Sequence, residues 1–237
     1  LRRSVHCAVL DHVRMEYAFW ANKPDEEILL TLAQAASTLP RFSTVVFATD
    51  HHLITGLSLI KVLAKDPASA KAQEYSALLQ RSSNKIKKLA DFCPENFDHK
   101  RYLLQAETFR LKTDTAWQAM PYYQQAISSA KDNGFLQYQA LANELCGEFC
   151  LRQNNSFAAA AFLRDAHYLY EKWGCRVRID NLLQRHGELI CSTHPQEKFS
   201  ALENKEPVAE SMNHSLDLGA LIASSQVISS QVLMNKV

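Results

Sequence analysis

The chain has 237 residues, a net charge of +1 and 6 glycines, where an average soluble protein of this length carries about 17. Leu (30) and Ala (29) together make up a quarter of it, and hairpin turns and phosphate-cradling loops need glycine, so sandwiches, barrels and Gly-loop nucleotide folds are disfavoured against an all-α protein. Near-neutral charge removes any global pull toward nucleic acid or anionic lipid, and 47% hydrophobic against 22% charged residues excludes wholesale disorder.

The first helix is expected over residues 3–20, where Val5, Val9, Val13, Tyr17 and Trp20 follow helical spacing. A turn at Asn22-Lys23-Pro24-Asp25 opens the second, which runs through Ile28, Leu32 and Ala35 to Leu39-Pro40. Residues 43–65 are ambiguous: Val45, Val46 and Phe47 have strand propensity, while the length and the later Leu/Ile spacing favour helix. Asp66-Pro67 is expected to start a helix reaching Phe92, and Cys93-Pro94-Glu95-Asn96 breaks it. Helices over 97–112, 116–131, 136–152, 157–173 and 177–185 follow. Pro121 conflicts with the start at 116, and a later start would place it in the first turn. The connections are mostly short, which forces consecutive helices to pack antiparallel. Eleven of the 22 aromatic residues fall between Trp117 and Trp173, so the densest core is expected there.

A repeat is visible in the second half. Ala119, Tyr123, Ala126 and Gly134 recur 40 residues later as Ala159, Leu163, Ala166 and Gly174. The alanines let a neighbouring helix approach closely, the bulky residue between them fills the gap on the same face, and the glycine takes a left-handed C-cap. This small–large–small stripe resembles the tetratricopeptide (TPR) pattern, with a period longer than the usual 34 or so. The fold expected for 1–186 is therefore a TPR-like antiparallel helical-hairpin solenoid. Residues 187–213, polar and carrying Pro195 and Pro207, read as a linker. Residues 214–237 return to an amphipathic helix, where Leu218, Leu221, Ser225, Ile228 and Val232 step by three and four in a heptad seam suited to a homodimer.

Chemistry-bearing motifs are missing. No Walker A loop, G-x-G-x-x-G, H-E-x-x-H or G-x-S-x-G occurs, and neither a catalytic residue nor a cofactor or metal site can be assigned. Cys7, Cys93, Cys146, Cys150, Cys175 and Cys191 contain no C-x-x-C. Cys146 and Cys150 stand one helical turn apart without a second ligand pair, and read as buried free thiols of a reducing cytoplasm. His51-His52 reads as a surface pair, and Lys85, Lys87 and Lys88 as a solvated helix face. On such an array, polar groups of the first helix of a hairpin line the concave groove. The candidates for groove or partner contact are His99, Asn143, Glu144 and His167. No targeting segment is evident: Leu1-Arg2-Arg3 is basic, but Asp11, His12, Arg14 and Glu16 interrupt the apolar run. The most apolar stretch, 42–60, holds Asp50, His51 and His52, unlike a membrane span. The chain lacks an initiator Met and its heptad seam ends after two heptads, so it is expected to be a piece of something longer.

Four strings occur in order: CPENFDHK at 93–100, ALANEL at 140–145, DAHYLYEKWG at 165–174 and SLDLGALIASSQVIS at 215–229. They resemble the middle region of large multidomain signalling proteins of bacteria and fungi. Those proteins join a serine/threonine-kinase-like domain, an AAA/STAND-type ATPase, a TPR-like helical region, a GAF domain and a sensor histidine kinase. The resemblance covers residues 73–186 and 215–237. It implies a helical region between ATPase and GAF domain, with those domains as partners and with ATP and Mg confined to them. It transfers no catalytic residue to this sequence. It implies a regulatory, non-catalytic segment that relays ligand or partner binding. A stand-alone TPR adaptor, the sensor region of a STAND-class transcription activator, and an enzyme built from dispersed Cys and His groups are the alternatives.

Overall fold

A computed structural model describes residues 5–38 and 45–191. These residues are all-helical, with nine α-helices and no strand among them: α1 (Val5–Trp20), α2 (Asp25–Thr38), α3 (Val45–Lys65), α4 (Ala72–Phe92), α5 (Pro94–Leu111), α6 (Ala119–Asp132), α7 (Leu136–Arg152), α8 (Ser156–Trp173) and α9 (Arg176–Cys191). A 3-10 turn over Thr113–Gln118 precedes α6. The chain divides into two units, Leu1–Thr193 and His194–Val237. The expected heptad seam of Leu218, Leu221, Ile228 and Val232, and the linker from 192 onward, lie outside the described residues.

Local chemistry explains the boundaries. Pro94 occupies the first turn of α5, where its missing N–H costs nothing. Pro121 sits in the first turn of α6, which begins at Ala119. Asn155 caps α8, its side chain accepting from the Ala158 N–H at 3.0 Å. Gly134 and Gly174 have φ of 77° and 81°, the left-handed conformation that ends α6 and α8. The ambiguous stretch at Val45–Phe47 is helical and belongs to α3.

Three boundaries and one face differ from the sequence expectation, and α5 is among them, since it starts at Pro94 inside the break expected at 93–96. Helix α4 starts at Ala72, not at Asp66-Pro67. The Asp66 N–H still donates to Val62 of α3, and Ser69 and Ala72 close turns of their own. Helix α9 continues through the expected linker start to Cys191, with non-helical dihedrals at His186. It continues because Leu189 and Ile190 pack against the α8 cluster, and Arg164 donates to the Ile190 carbonyl at 3.3 Å. On α1, the stripe of Val9, Val13 and Tyr17 is exposed, and Asp11, His12, Met15 and Ala18 are buried instead. His12 reaches Glu16 at 3.1 Å along that face.

Each helix packs on its sequence neighbour, and α1 also meets α3, α3 meets α5 and α5 meets α7. The main core runs from Leu53 to Ala159 across α3–α8, so it extends well before the aromatic-rich stretch. Trp117, Phe157 and Tyr168 from that stretch are exposed. Ala119, Tyr123 and Ala126 of α6, and Ala159, Leu163 and Ala166 of α8, are fully buried. Helices α7 and α8 approach so closely that a Cβ on Gly147 would lie 2.8 Å from Leu163 Cγ.

The end of α1 is seated against the last helices. Trp20 meets Trp173 edge-on at 4.9 Å and Tyr138 at 6.3 Å between ring centroids. The Arg178 guanidinium lies 5.9 Å from the Phe19 centroid and 6.0 Å from that of Trp20. Asn181 Nδ2 donates to the Ala21 carbonyl at 3.4 Å.

Candidate functional site

Because α1, α3, α5, α7 and α9 adjoin one another and the end of α1 reaches α8 and α9, their inner faces enclose a cleft of about 590 Å³. Helix α3 contributes Leu57, Ser58, Lys61 and Lys65, α5 contributes Glu107, Arg110 and Leu111, and α9 contributes Arg178 and Arg185. Helix α7 presents Leu141, Glu144, Leu145, Glu148 and Arg152, two adjoining rows (141, 145, 148, 152 and 144, 148, 152) that step by three or four along one helix face. Among the even-numbered helices only α2 reaches the cleft, through Ile28.

The lining is a network of charges. Glu107 accepts from Arg110 Nη2 at 2.7 Å and from the Tyr123 hydroxyl. Glu144, fully buried, accepts from Arg178 Nε at 2.9 Å, from the Tyr170 hydroxyl at 2.7 Å and from Arg185. Glu148 accepts from Arg185, with Arg152 at 3.6 Å and His186 Nε2 at 3.7 Å. Asp25, at the rim, pairs with Lys61 at 3.0 Å and with Lys65. A buried charge is tolerated only with this density of partners. Burial alone would raise the Glu148 carboxyl, but the adjoining His186 ring and the Arg185 and Arg152 charges outweigh it and hold its pKa at about 2. Burial would likewise lower Arg178, and the adjoining Glu144 and Tyr170 raise it instead. In all, six cations (Lys61, Lys65, Arg110, Arg152, Arg178, Arg185) face four carboxylates (Asp25, Glu107, Glu144, Glu148).

Of the four sequence candidates, Glu144 lines this cleft and the others do not. Asn143 is buried on a neighbouring face of α7, its Nδ2 donating to the Gln139 carbonyl at 2.8 Å. His167 is half-buried on α8, 3.7 Å from Glu171. His99 is buried, stacked on Phe135 at 4.3 Å and tilted toward Tyr138 at 5.0 Å. Neither of its ring nitrogens has a hydrogen-bond partner, and burial, with the Lys100 charge beside it, pushes its pKa down to about 3. The expected surface pair is also corrected. His51 is buried, its Nδ1 3.2 Å from Met15 Sδ, and His52 is half-buried.

The residues that sequence reasoning missed are Asp25, Lys61, Lys65, Glu107, Arg110, Glu148, Arg152, Arg178 and Arg185. One signal was present: Glu144, Glu148 and Arg152 step by four along one face of α7. Lys61 and Lys65 of α3, and Arg178 and Arg185 of α9, also share a face by spacing, but the carboxylates they meet come from remote parts of the chain.

Cys146 and Cys150 are buried free thiols, with Cys146 Sγ 3.8 Å from Met120 Sδ. Among the described residues no group of three or more His, Cys, Asp or Glu is placed to hold a metal ion. No described helix is long and apolar enough to cross a membrane. No family model matches the chain, and no curated protein and no solved structure matches it.

Proposed function

We propose that this chain is a regulatory binding segment, a TPR-like array of helical hairpins that carries its ligand or partner in the cleft. The observation that carries this reading is the cleft itself: alternate helices turn one charged face inward around about 590 Å³, within the size range of small-molecule sites. The repeat supports the TPR-like description. Equivalent alanines are buried at the same places on α6 and α8, and each helix ends on a left-handed glycine.

In this reading the segment belongs to a multidomain signalling protein of the serine/threonine-kinase-like, STAND ATPase, GAF and histidine-kinase type. Binding in the cleft is passed to the adjoining ATPase and GAF/histidine-kinase domains, which hold the ATP and Mg, and the seam of Leu218, Leu221, Ile228 and Val232 pairs in a homodimer. The test is made in the complete protein. Arg185→Glu, which sets a carboxylate against Glu144 and Glu148, is expected to change ATP turnover and autophosphorylation at unchanged protein level. Output identical to wild type, or a complete reading frame without such domains, overturns the proposal. A reading frame with a helix-turn-helix domain instead would favour the transcription-activator alternative.

A further inference from the structure

The balance of charge in the cleft is uneven in a way that specifies an occupant. Six cations share four carboxylates, an excess of two positive charges in a partly enclosed space. The excess is local. Lys61 and Lys65, both substantially exposed, share the single carboxylate of Asp25. The Arg152 guanidinium, half exposed, approaches Glu148 only to 3.6 Å, beyond hydrogen-bond length. Arg178 and Arg185, by contrast, are tied to Glu144. The ammonium groups of α3 and the guanidinium of Arg152 therefore keep donor capacity toward the cleft.

We propose, resting on the reading of the cleft as the array's binding surface, that it takes a small molecule with a doubly charged oxyanion head, a phosphate monoester or a dicarboxylate. The head is held by Lys61, Lys65 and Arg152. Two negative charges restore neutrality. Lysine serves as a point charge and arginine as a planar fork, and both suit such oxygens. The uncharged body of the ligand rests on Phe19, Leu57 and Leu145, the apolar part of the same wall. A volume of about 590 Å³ matches a compact ligand rather than a protein segment, whose interface would spread over a far larger surface.

The experiment is titration calorimetry and thermal shift on the full chain with glycerol 3-phosphate and with succinate as probes, at ionic strength matched by sodium chloride. A poly-glutamate peptide is the third arm. Saturable binding of one probe in the millimolar range or tighter is expected. Affinity should fall about tenfold or more in Lys61→Gln/Lys65→Gln and in Arg152→Gln, with helicity by circular dichroism unchanged. The probe that binds tells phosphate ester from dicarboxylate. No saturable binding of either probe up to about 10 mM overturns the proposal. So does equal affinity in the variants, or binding of poly-glutamate alone. If these arms fail while Arg185→Glu still alters output in the complete protein, the occupant is wrong and the regulatory reading stands.

Discussion

Trp20 packs edge-on against Trp173, ring centroids 4.9 Å apart, joining the end of the first helix to the end of the eighth. The contact closes one side of the cleft, since Phe19 and Asn22 beside it are part of the lining. Trp20→Ala is expected to cost about 2–4 kcal/mol, combining lost aromatic burial with a lost ring pair. Trp173→Ala should cost less, because Trp173 is already 37% exposed. Urea denaturation of the two variants measures the difference, and limited proteolysis should cut first in the α1–α2 turn of Trp20→Ala.

The buried pair of Glu144 and Arg178 should behave asymmetrically. Arg178→Met removes a donor at 2.9 Å from a fully buried carboxylate and is expected to cost about 3–5 kcal/mol. Glu144 keeps the Tyr170 hydroxyl and Arg185 as donors, so adding Glu144→Leu removes an under-partnered carboxylate but leaves those two donors unmatched, and should recover only part of that loss. Guanidinium-chloride midpoints across the double-mutant cycle give the coupling. Equal costs for the single and double variants would mean that Arg178 acts through packing alone.

Two buried histidines set an acid limit. Burial, then the Lys100 charge, lowers His99 to about 3. Burial, then His52 and His12, lowers His51 to about 4. A folded-state pKa below the ordinary value of about 6.5 means that the unfolded chain takes up the proton first. Stability is then full above pH 6.5 and falls as pH drops toward 4 for His51 and toward 3 for His99. Each should contribute about 1.4 kcal/mol per pH unit inside its window. His99→Phe, which keeps the stack on Phe135, should flatten the slope measured by urea denaturation between pH 6.5 and 5.

Glycines at two helical positions should respond in opposite ways. Gly147→Ala places a Cβ 2.8 Å from Leu163 Cγ and 3.3 Å from the Ala159 carbonyl oxygen, so α7 and α8 must separate, at about 1–3 kcal/mol. A Cβ on Gly187 meets nothing within 4 Å, and Gly187→Ala should be neutral or stabilising by up to about 1 kcal/mol. Thermal melts of the two variants make the comparison.

Thiol labelling tests the core directly. Cys191 is exposed and should react with a disulfide reagent at once. Cys146 and Cys150 are buried, and burial pushes the Cys146 thiol up, so both should react only on unfolding. Mass spectrometry of the labelled peptides assigns each site.

The helical class, most helix limits and the paired stripes of α6 and α8 were legible in the sequence. Spacing of apolar residues, prolines in first turns and glycines past last turns act within a few residues of one another. The inner faces of the cleft were not legible beyond Glu144, because pairs such as Glu144 with Arg178, or Lys61 with Asp25, join helices that only tertiary packing brings together. The same limit explains α1, whose apolar stripe is exposed while Asp11 and His12 are buried, and His51, whose burial depends on Met15 from α1. Local periodicity determines that a segment is helical. Which face it buries, and which charges meet, is decided by the neighbours it acquires when the chain closes through Trp20 and Trp173.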